Sequence, residues 1–243
     1  MARMVDIHCH IVPCVDDGAK DMKTALELLR MEYEDGVRSI IVTPHFRKGM
    51  FDTSQEDISQ QFFLLEKEVS RLYPDMHLYL GCEFHANMDM MENLKNGERP
   101  TMAGTRYVLV EFSELHRASY VRERCYSLLI QGYIPIIAHA ERYSLLYKNY
   151  KEIQYLVNLG ALIQVNASSI VGEEGFRMKC FCKNLMKKNL IHFVGSDAHN
   201  LSSRKPCLGK CFAYITKVMG KGYARRIMYA NPACVIDDEM IRN

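Results

Sequence analysis

Seven short apolar runs, each followed by a stretch of helical periodicity, recur along the chain, and this alternation most constrains what it can fold into. The runs at residues 5–10, 37–43, 77–83, 107–112, 134–139, 161–166 and 191–195 are β-branched or aromatic-rich, and several close on Gly, Pro or Ser. Helical patterns lie at 21–35, 54–72, 88–95, 120–131, 150–159, 175–188 and 208–219. The first places Ala25, Leu28 and Leu29 on one side and stops at Gly36; the second opens with the capping box Thr53-x-x-Glu56. No linker interrupts the series, so residues 1–243 read as a single α/β domain built on a parallel sheet. Such units wind into an open sheet or close as a barrel, and in both, chemistry belongs at the strand C-termini.

Composition narrows the class. Of 243 residues, 48% are hydrophobic and 25% charged, enough for a full core, which excludes disorder and fibres. The 31 Lys and Arg against 29 Asp and Glu leave a net charge of +2 with the signs interspersed, so nucleic acid is not an expected partner. No run approaches the ~20 apolar residues of a transmembrane segment, and the start Met1-Ala2-Arg3-Met4-Val5-Asp6 lacks a secretory core, so a cytoplasmic protein is expected. Nine cysteines at these spacings form neither a zinc ribbon nor a disulfide framework, and read as reduced, mostly buried thiols.

The positions of the unusual residues carry the functional signal. His8 and His10 end the first run, His45 follows the second, Glu83 ends the third, Glu111 the fourth and His139 the fifth, while Asp197 and His199 follow the seventh. His8 and His10, two apart in a strand, point to one face and can share a cation; Asp197-x-His199 repeats the geometry. Singly, each has an ordinary reading as a half-exposed strand histidine or a helix-entry carboxylate. Jointly they do not, because an unpaired Glu83 or Glu111 ending an apolar strand is costly, so a metal centre is expected. His77, His85, His116 and His192 lie outside the pattern and read as ordinary.

Imidazole and carboxylate without thiolate suit Mn²⁺, Fe²⁺ or Zn²⁺, and this many carboxylates favours a multinuclear site. The Asp16-Asp17-Gly18 turn offers a further carboxylate from either aspartate, unless it is a plain Asp-Gly turn. Arg142 and Arg204, three and five residues beyond His139 and His199, can present guanidinium forks to a bound oxyanion, which fits a phosphoester; the alternative is a surface ion pair. Arg47-Lys48 is the one short basic pair near the site and is expected to contact substrate.

Other chemistries lack their motifs. No cysteine is followed six positions later by Arg, as a thiol phosphatase requires: Cys14 leads to Lys20, Cys82 to Met88 and Cys211 to Lys217. Walker, dinucleotide-binding and Gly-x-Ser-x-Gly signatures are also missing from the sequence.

Asp6-Ile7-His8-Cys9-His10, Asp16-Asp17-Gly18, Thr43-Pro44-His45 with Arg47-Lys48-Gly49-Met50-Phe51, Gly81-Cys82-Glu83, Val110-Glu111-Phe112, Ala138-His139-Ala140-Glu141-Arg142-Tyr143 and Ser196-Asp197-Ala198-His199-Asn200 recur in one known order. Together they resemble the PHP-type (polymerase and histidinol phosphatase) tyrosine-protein phosphatases of bacterial capsule and exopolysaccharide loci, the CpsB/YwqE group. The resemblance implies a distorted (β/α)7 barrel with up to three divalent metal ions, Mn²⁺ foremost. It implies the ligands His8, His10, Asp17, His45, Glu83, Glu111, His139, Asp197 and His199, and so selects Asp17 over Asp16. It gives Arg142 and Arg204 a phosphate-binding role, with Asp197 and His199 beside them in catalysis. Phe46, Cys9 and Cys14 depart from the group's usual wording, and strand alternation turns Cys9 and Cys82 away from the ligand face.

The expected reaction is phosphomonoester hydrolysis, a metal-activated hydroxide attacking phosphorus with no phosphoenzyme. The resemblance implies the phosphotyrosine tail of a bacterial tyrosine autokinase as substrate and control of polysaccharide synthesis as outcome. Alternatives are a small-molecule phosphoesterase, such as a histidinol-phosphate phosphatase, and more remotely a metal-dependent nuclease or phosphodiesterase, against which the near-neutral charge argues.

Overall fold

The computed structural model describes residues 3–241. Its strands are β1 (Met4–Asp6), β2 (Val37–Val42), β3 (His45–Phe46), β4 (His77–Leu80), β5 (Glu83–His85), β6 (Tyr107–Glu111), β7 (Ile134–Ile137), β8 (Leu162–Asn166) and β9 (Phe193–Gly195). Every pairing between them is parallel. β2 and β3 are one strand interrupted at Thr43-Pro44, where proline has no N–H for the ladder. β4 and β5 are likewise one strand interrupted at Gly81-Cys82, so seven strand positions follow one another in chain order.

The last position returns to the first. Asp197 N–H donates to the His8 carbonyl at 2.8 Å, His10 N–H to the Ala198 carbonyl at 2.9 Å, and Cys9 and Ala198 form a parallel bridge. Below that seam, the Asp6 carboxylate substitutes for backbone pairing by accepting from Ser196 N (3.0 Å) and Ser196 Oγ (2.6 Å). The result is a distorted seven-stranded β/α barrel.

Alternation along the strands sorts the core into two sets. Tyr107 and Leu109, Ile136 and Ala138, Leu162 and Phe193 fill the lumen, while Val108, Val110, Ile137, Ile163, Val165 and Val194 face the surrounding helices. Further along the inward face, apolar residues give way to Glu111, Gln164 and Asn166, so the upper lumen is polar. The first expected strand, 5–10, leaves the ladder after Asp6, and the chain changes phase there: Val5 and Ile7 face the lumen, yet so do His8 and His10. Gly195 makes room for this, since a Cβ there would lie 2.8 Å from the His8 Cβ and 2.9 Å from Gln164 Nε2.

The expected helices correspond to α1 (Met22–Asp35), α2 (Gln55–Leu72), α3 (Met90–Lys95), α4 (Ala118–Ile130), α5 (Tyr150–Leu159), α7 (Phe176–Lys187) and α8 (Leu208–Met219). The short α6 (Ala167–Val171), α9 (Lys221–Arg225) and α10 (Asn231–Ile236) were not expected, being too brief for periodicity to register. The capping residue of α2 also differs: Ser54 Oγ accepts from Asp57 N–H, and the Thr53 hydroxyl instead donates to the Val15 carbonyl.

Candidate metal centre

The strand ends bring the expected side chains together on one rim. Ligand atoms gather within 4.8 Å of one another in four overlapping groups: His10, Asp17, His45 and His199; His8, His10 and Asp197; His8, Glu83 and His139; and His45, Glu83 and Glu111. Glu83 is the hub, its Oε2 lying 3.3 Å from His8 Nε2, 3.2 Å from His10 Nε2 and 3.0 Å from His45 Nδ1. None of these contacts has hydrogen-bond geometry at that oxygen, and His199 Nε2 is equally without a partner. Buried polar atoms normally find partners. Here lone pairs converge on common points instead, as they do around cations.

Neighbouring groups prepare the imidazoles for that role. Gln164 Oε1 accepts the His139 backbone N–H at 2.6 Å; because that group can only donate, the amide orientation is fixed. The same oxygen faces His8 Nδ1 at 3.1 Å, so His8 carries its hydrogen on Nδ1 and turns Nε2 to the centre. Asp16 Oδ2 does the same for His10 Nδ1 at 2.8 Å, and the Asp197 carbonyl for His199 Nδ1 at 2.9 Å. Gln164 Nε2 donates to Asn166 Oδ1 (2.9 Å), and Asn166 Nδ2 to Asp197 Oδ2 (2.8 Å), so two amides of β8 tie together the His8 and Asp197 side chains and the His139 backbone from three other strand ends.

The charge balance favours a cation. Burial opposes a proton on His8, but Glu83 and Asp197 outweigh it and lift its pKa to about 9. His45 rises to about 9 in the same way, burial opposing and Glu83 prevailing. His199 falls to about 4, through burial and then the charge of His10. Burial would raise the Glu83 pKa, yet His8 and His45 hold it well below the usual carboxylate range. Imidazoles and carboxylates with an orphaned hub oxygen fit divalent cations of the Mn²⁺, Fe²⁺ and Zn²⁺ type.

The two arginines are part-exposed, and both turn towards the centre. Arg142 Nη1 and Arg204 Nη2 each donate to Asp197 at 2.8 Å, one to each carboxylate oxygen, and Arg142 also faces Glu174 at 3.9 Å. Their partner is thus one of the expected ligands. His139 (φ 30°) and Asp197 (φ 52°) both hold left-handed backbone, strain that concentrates at functional sites.

Of the two aspartates left open by spacing, Asp16 is saturated by His10, the Gly18 N–H (2.9 Å) and the His45 N–H (3.0 Å). Asp17 Oδ1 instead lies 3.5 Å from both His45 Nε2 and His199 Nε2. Arg47 and Lys48 are exposed in the turn beside His45, whose ring stacks on Phe51 at 4.7 Å. His85, read as ordinary, lies 3.4 Å from Glu111 Oε2, and Tyr143, not singled out, reaches His139 Nδ1 at 3.1 Å. Gln164 and Asn166 were missed too; the signal was available, as polar residues continue the inward period of Leu162. Among the described residues no two cysteines form a disulfide, and Cys9 and Cys82 are buried on the helix side.

Fold and site define a class: a parallel β/α barrel with an imidazole–carboxylate cluster and two guanidinium groups at the strand C-termini. Within it, the family model for capsular polysaccharide synthesis, CpsB/CapC, matches residues 4–237, and the chain belongs to that family. It is 35% identical over 243 residues to tyrosine-protein phosphatase CpsB of Streptococcus pneumoniae, covering 98% of this chain and 100% of the relative. It is 35% identical over 201 residues to tyrosine-protein phosphatase YwqE of Bacillus subtilis (strain 168), covering 83% and 79% respectively. Among the crystal structures of YwqE from Bacillus subtilis and CpsB from Streptococcus pneumoniae, described as unique metal-dependent tyrosine phosphatases, one matches with TM-score 0.92 and 31% identity, covering 98% of this chain and 96% of that one. No helix among the described residues is long and apolar enough to cross a membrane.

Proposed function

We propose that this protein is a metal-dependent protein-tyrosine phosphatase acting in capsule or exopolysaccharide synthesis. The observation that carries this is the Glu83 oxygen: three imidazole nitrogens crowd it at 3.0–3.3 Å without hydrogen-bonding it, next to two arginines that grip one carboxylate. In this reading His8, His10, Asp17, His45, Glu83, Glu111, His139, Asp197 and His199 hold up to three divalent ions, Mn²⁺ first among them. Divalent ions held there would supply a nucleophile near neutral pH and positive charge for the phosphoryl oxygens.

The chain's own groups do the rest. Arg142 and Arg204 orient the phosphate, whose oxygens compete with Asp197 for their N–H groups, and both stabilise its charge during transfer. Asp197 keeps the two guanidinium groups in register, with His199 completing the rim on the Asp17 side. Arg47 and Lys48 meet the approaching substrate. A phenolate of pKa ~10 leaves with little help, which favours phosphotyrosine over phosphoserine. The natural substrate is the phosphotyrosine tail of a bacterial tyrosine autokinase, met in the cytoplasm, and residues 1–243 act as one domain.

The test measures phosphate release from a phosphotyrosyl peptide, a phosphoseryl peptide and histidinol phosphate after chelation and return of Mn²⁺. Restored activity favouring phosphotyrosine supports the proposal, and preference for histidinol phosphate replaces it with small-molecule phosphoester hydrolysis. Arg142→Ala should cut turnover about 10²-fold or more while keeping its metal, whereas His8→Ala should lose metal. Full activity in either variant contradicts the assignment.

A further inference from the structure

Two cavities follow one another along the seam between α5 and α7, outside the metal centre. The first, of about 240 Å³, is walled by Tyr147, Tyr150, Phe176 and Phe181, with Lys148 and Arg177 at its margin. Its rings already pack on one another: Tyr147 meets Phe181 edge-on at 5.0 Å, and Tyr150 lies 5.7 Å from Phe181. The second shares Tyr150 and adds Lys151, Tyr155 and Lys188. Among the described residues, no acidic side chain lines either cavity.

Two short stretches of chain link the groove to the rim. Arg142 faces Glu174, and Phe176 stands two residues further along the same segment. Tyr143, whose hydroxyl touches His139, begins the turn that carries Tyr147, with Tyr147 N–H donating to the Tyr143 carbonyl at 2.9 Å. Phe176 is 80% exposed at the lip, where no packing within the chain calls for a ring.

We propose that this groove is a specificity subsite, which binds an aromatic side chain on an acidic stretch of the phosphoprotein, a few residues from the phosphotyrosine. The inference rests on the phosphotyrosine reading above and extends it from the scissile group to its flanking sequence. Size supports a single ring, since a cavity on the order of 150 Å³ holds benzene. Reach supports a near neighbour, because an extended chain advances only ~3.3–3.6 Å per residue. Charge supports an acidic stretch: Lys148, Lys151, Arg177 and Lys188 border the groove without a counter-charge in its lining, although the whole chain carries only +2. A small phosphoester bound at the rim would not extend into it. Aromatic rings beside cations also stack single-stranded nucleic acid, but a recess for one ring beside a monoester centre favours the polypeptide.

The experiment uses the Mn²⁺-loaded full chain with p-nitrophenyl phosphate and two acidic phosphotyrosyl peptide pairs, in which Phe or Ser stands three residues before or after the phosphotyrosine. The Phe peptide of one pair should show a KM about tenfold lower, the scale expected from burying one phenyl ring. Phe176→Ser, which removes an exposed side chain, should erase that difference, Arg177→Ser should raise KM for both peptides of the pair, and both variants should leave p-nitrophenyl phosphate turnover unchanged. Equal KM values within both pairs, an undiminished difference in Phe176→Ser, unchanged KM values in Arg177→Ser, or displacement of the Phe peptide by a single-stranded oligonucleotide overturns the subsite while the phosphatase reading stands. Failure to hydrolyse p-nitrophenyl phosphate and every peptide overturns both.

Discussion

Gln164→Leu tests whether the β8 amides prepare the centre. Gln164 is fully buried and makes three hydrogen bonds, from His139 N–H at 2.6 Å, from His8 Nδ1 at 3.1 Å and to Asn166 Oδ1 at 2.9 Å. Leucine fills much of the same volume, so packing changes little, but three buried polar groups lose their partner. Each such loss costs about 1–3 kcal/mol. The three share one neighbourhood and relax together, so their costs overlap, and about 3 kcal/mol is the reasoned total. For a chain of this size that lowers Tm by about 6–12 °C, measured by calorimetry with chelator present. Separately, His8 loses the acceptor that fixes its Nδ1–H, and metal affinity should fall about 10–100-fold in a competition titration. Gln164→Glu retains an acceptor for both N–H groups and should recover most of that affinity. A leucine variant with Tm within about 2 °C of the parent and affinity within about twofold would refute the argument that these amides orient the site.

Two further perturbations probe the barrel around it. Gly195→Ala puts a Cβ 2.8 Å from the His8 Cβ, so the strand must shift; about 1–3 kcal/mol of lost stability and reduced metal content are expected, and unchanged values for both would show that the close approach is not needed. Glu32, fully buried on α1, is held well above the usual carboxylate range, by burial first and then by Asp6 and Asp35. The folded protein therefore binds a proton on Glu32 that the unfolded chain releases above pH ~4.3, and stability falls as pH rises past that value. Glu32→Gln should raise Tm at about pH 8, with the gain shrinking towards about pH 4; a gain independent of pH would exclude this origin.

Sequence by itself determined the alternation of strands and helices, and with it the end of the strands where the unusual side chains gather. Those properties are local: apolar period, capping residue and position within a run are all set within a few residues. His8 with His10, Glu83, Glu111, His139 and Asp197 with His199 were legible as a group for that reason, and so were the arginines one short step beyond. Tertiary structure alone decided what depends on distant partners. It closed the sheet through Asp6 and Ser196, shifted the phase between Ile7 and His8 against Gly195, and saturated Asp16 while leaving Asp17 beside His45 and His199. It also turned both guanidinium groups onto Asp197 and set Gln164 between His8 and His139, residues 156 and 25 positions away along the chain. Local periodicity says which face a side chain occupies; only closure of the barrel brings the facing strand ends within hydrogen-bond reach, where they become one site.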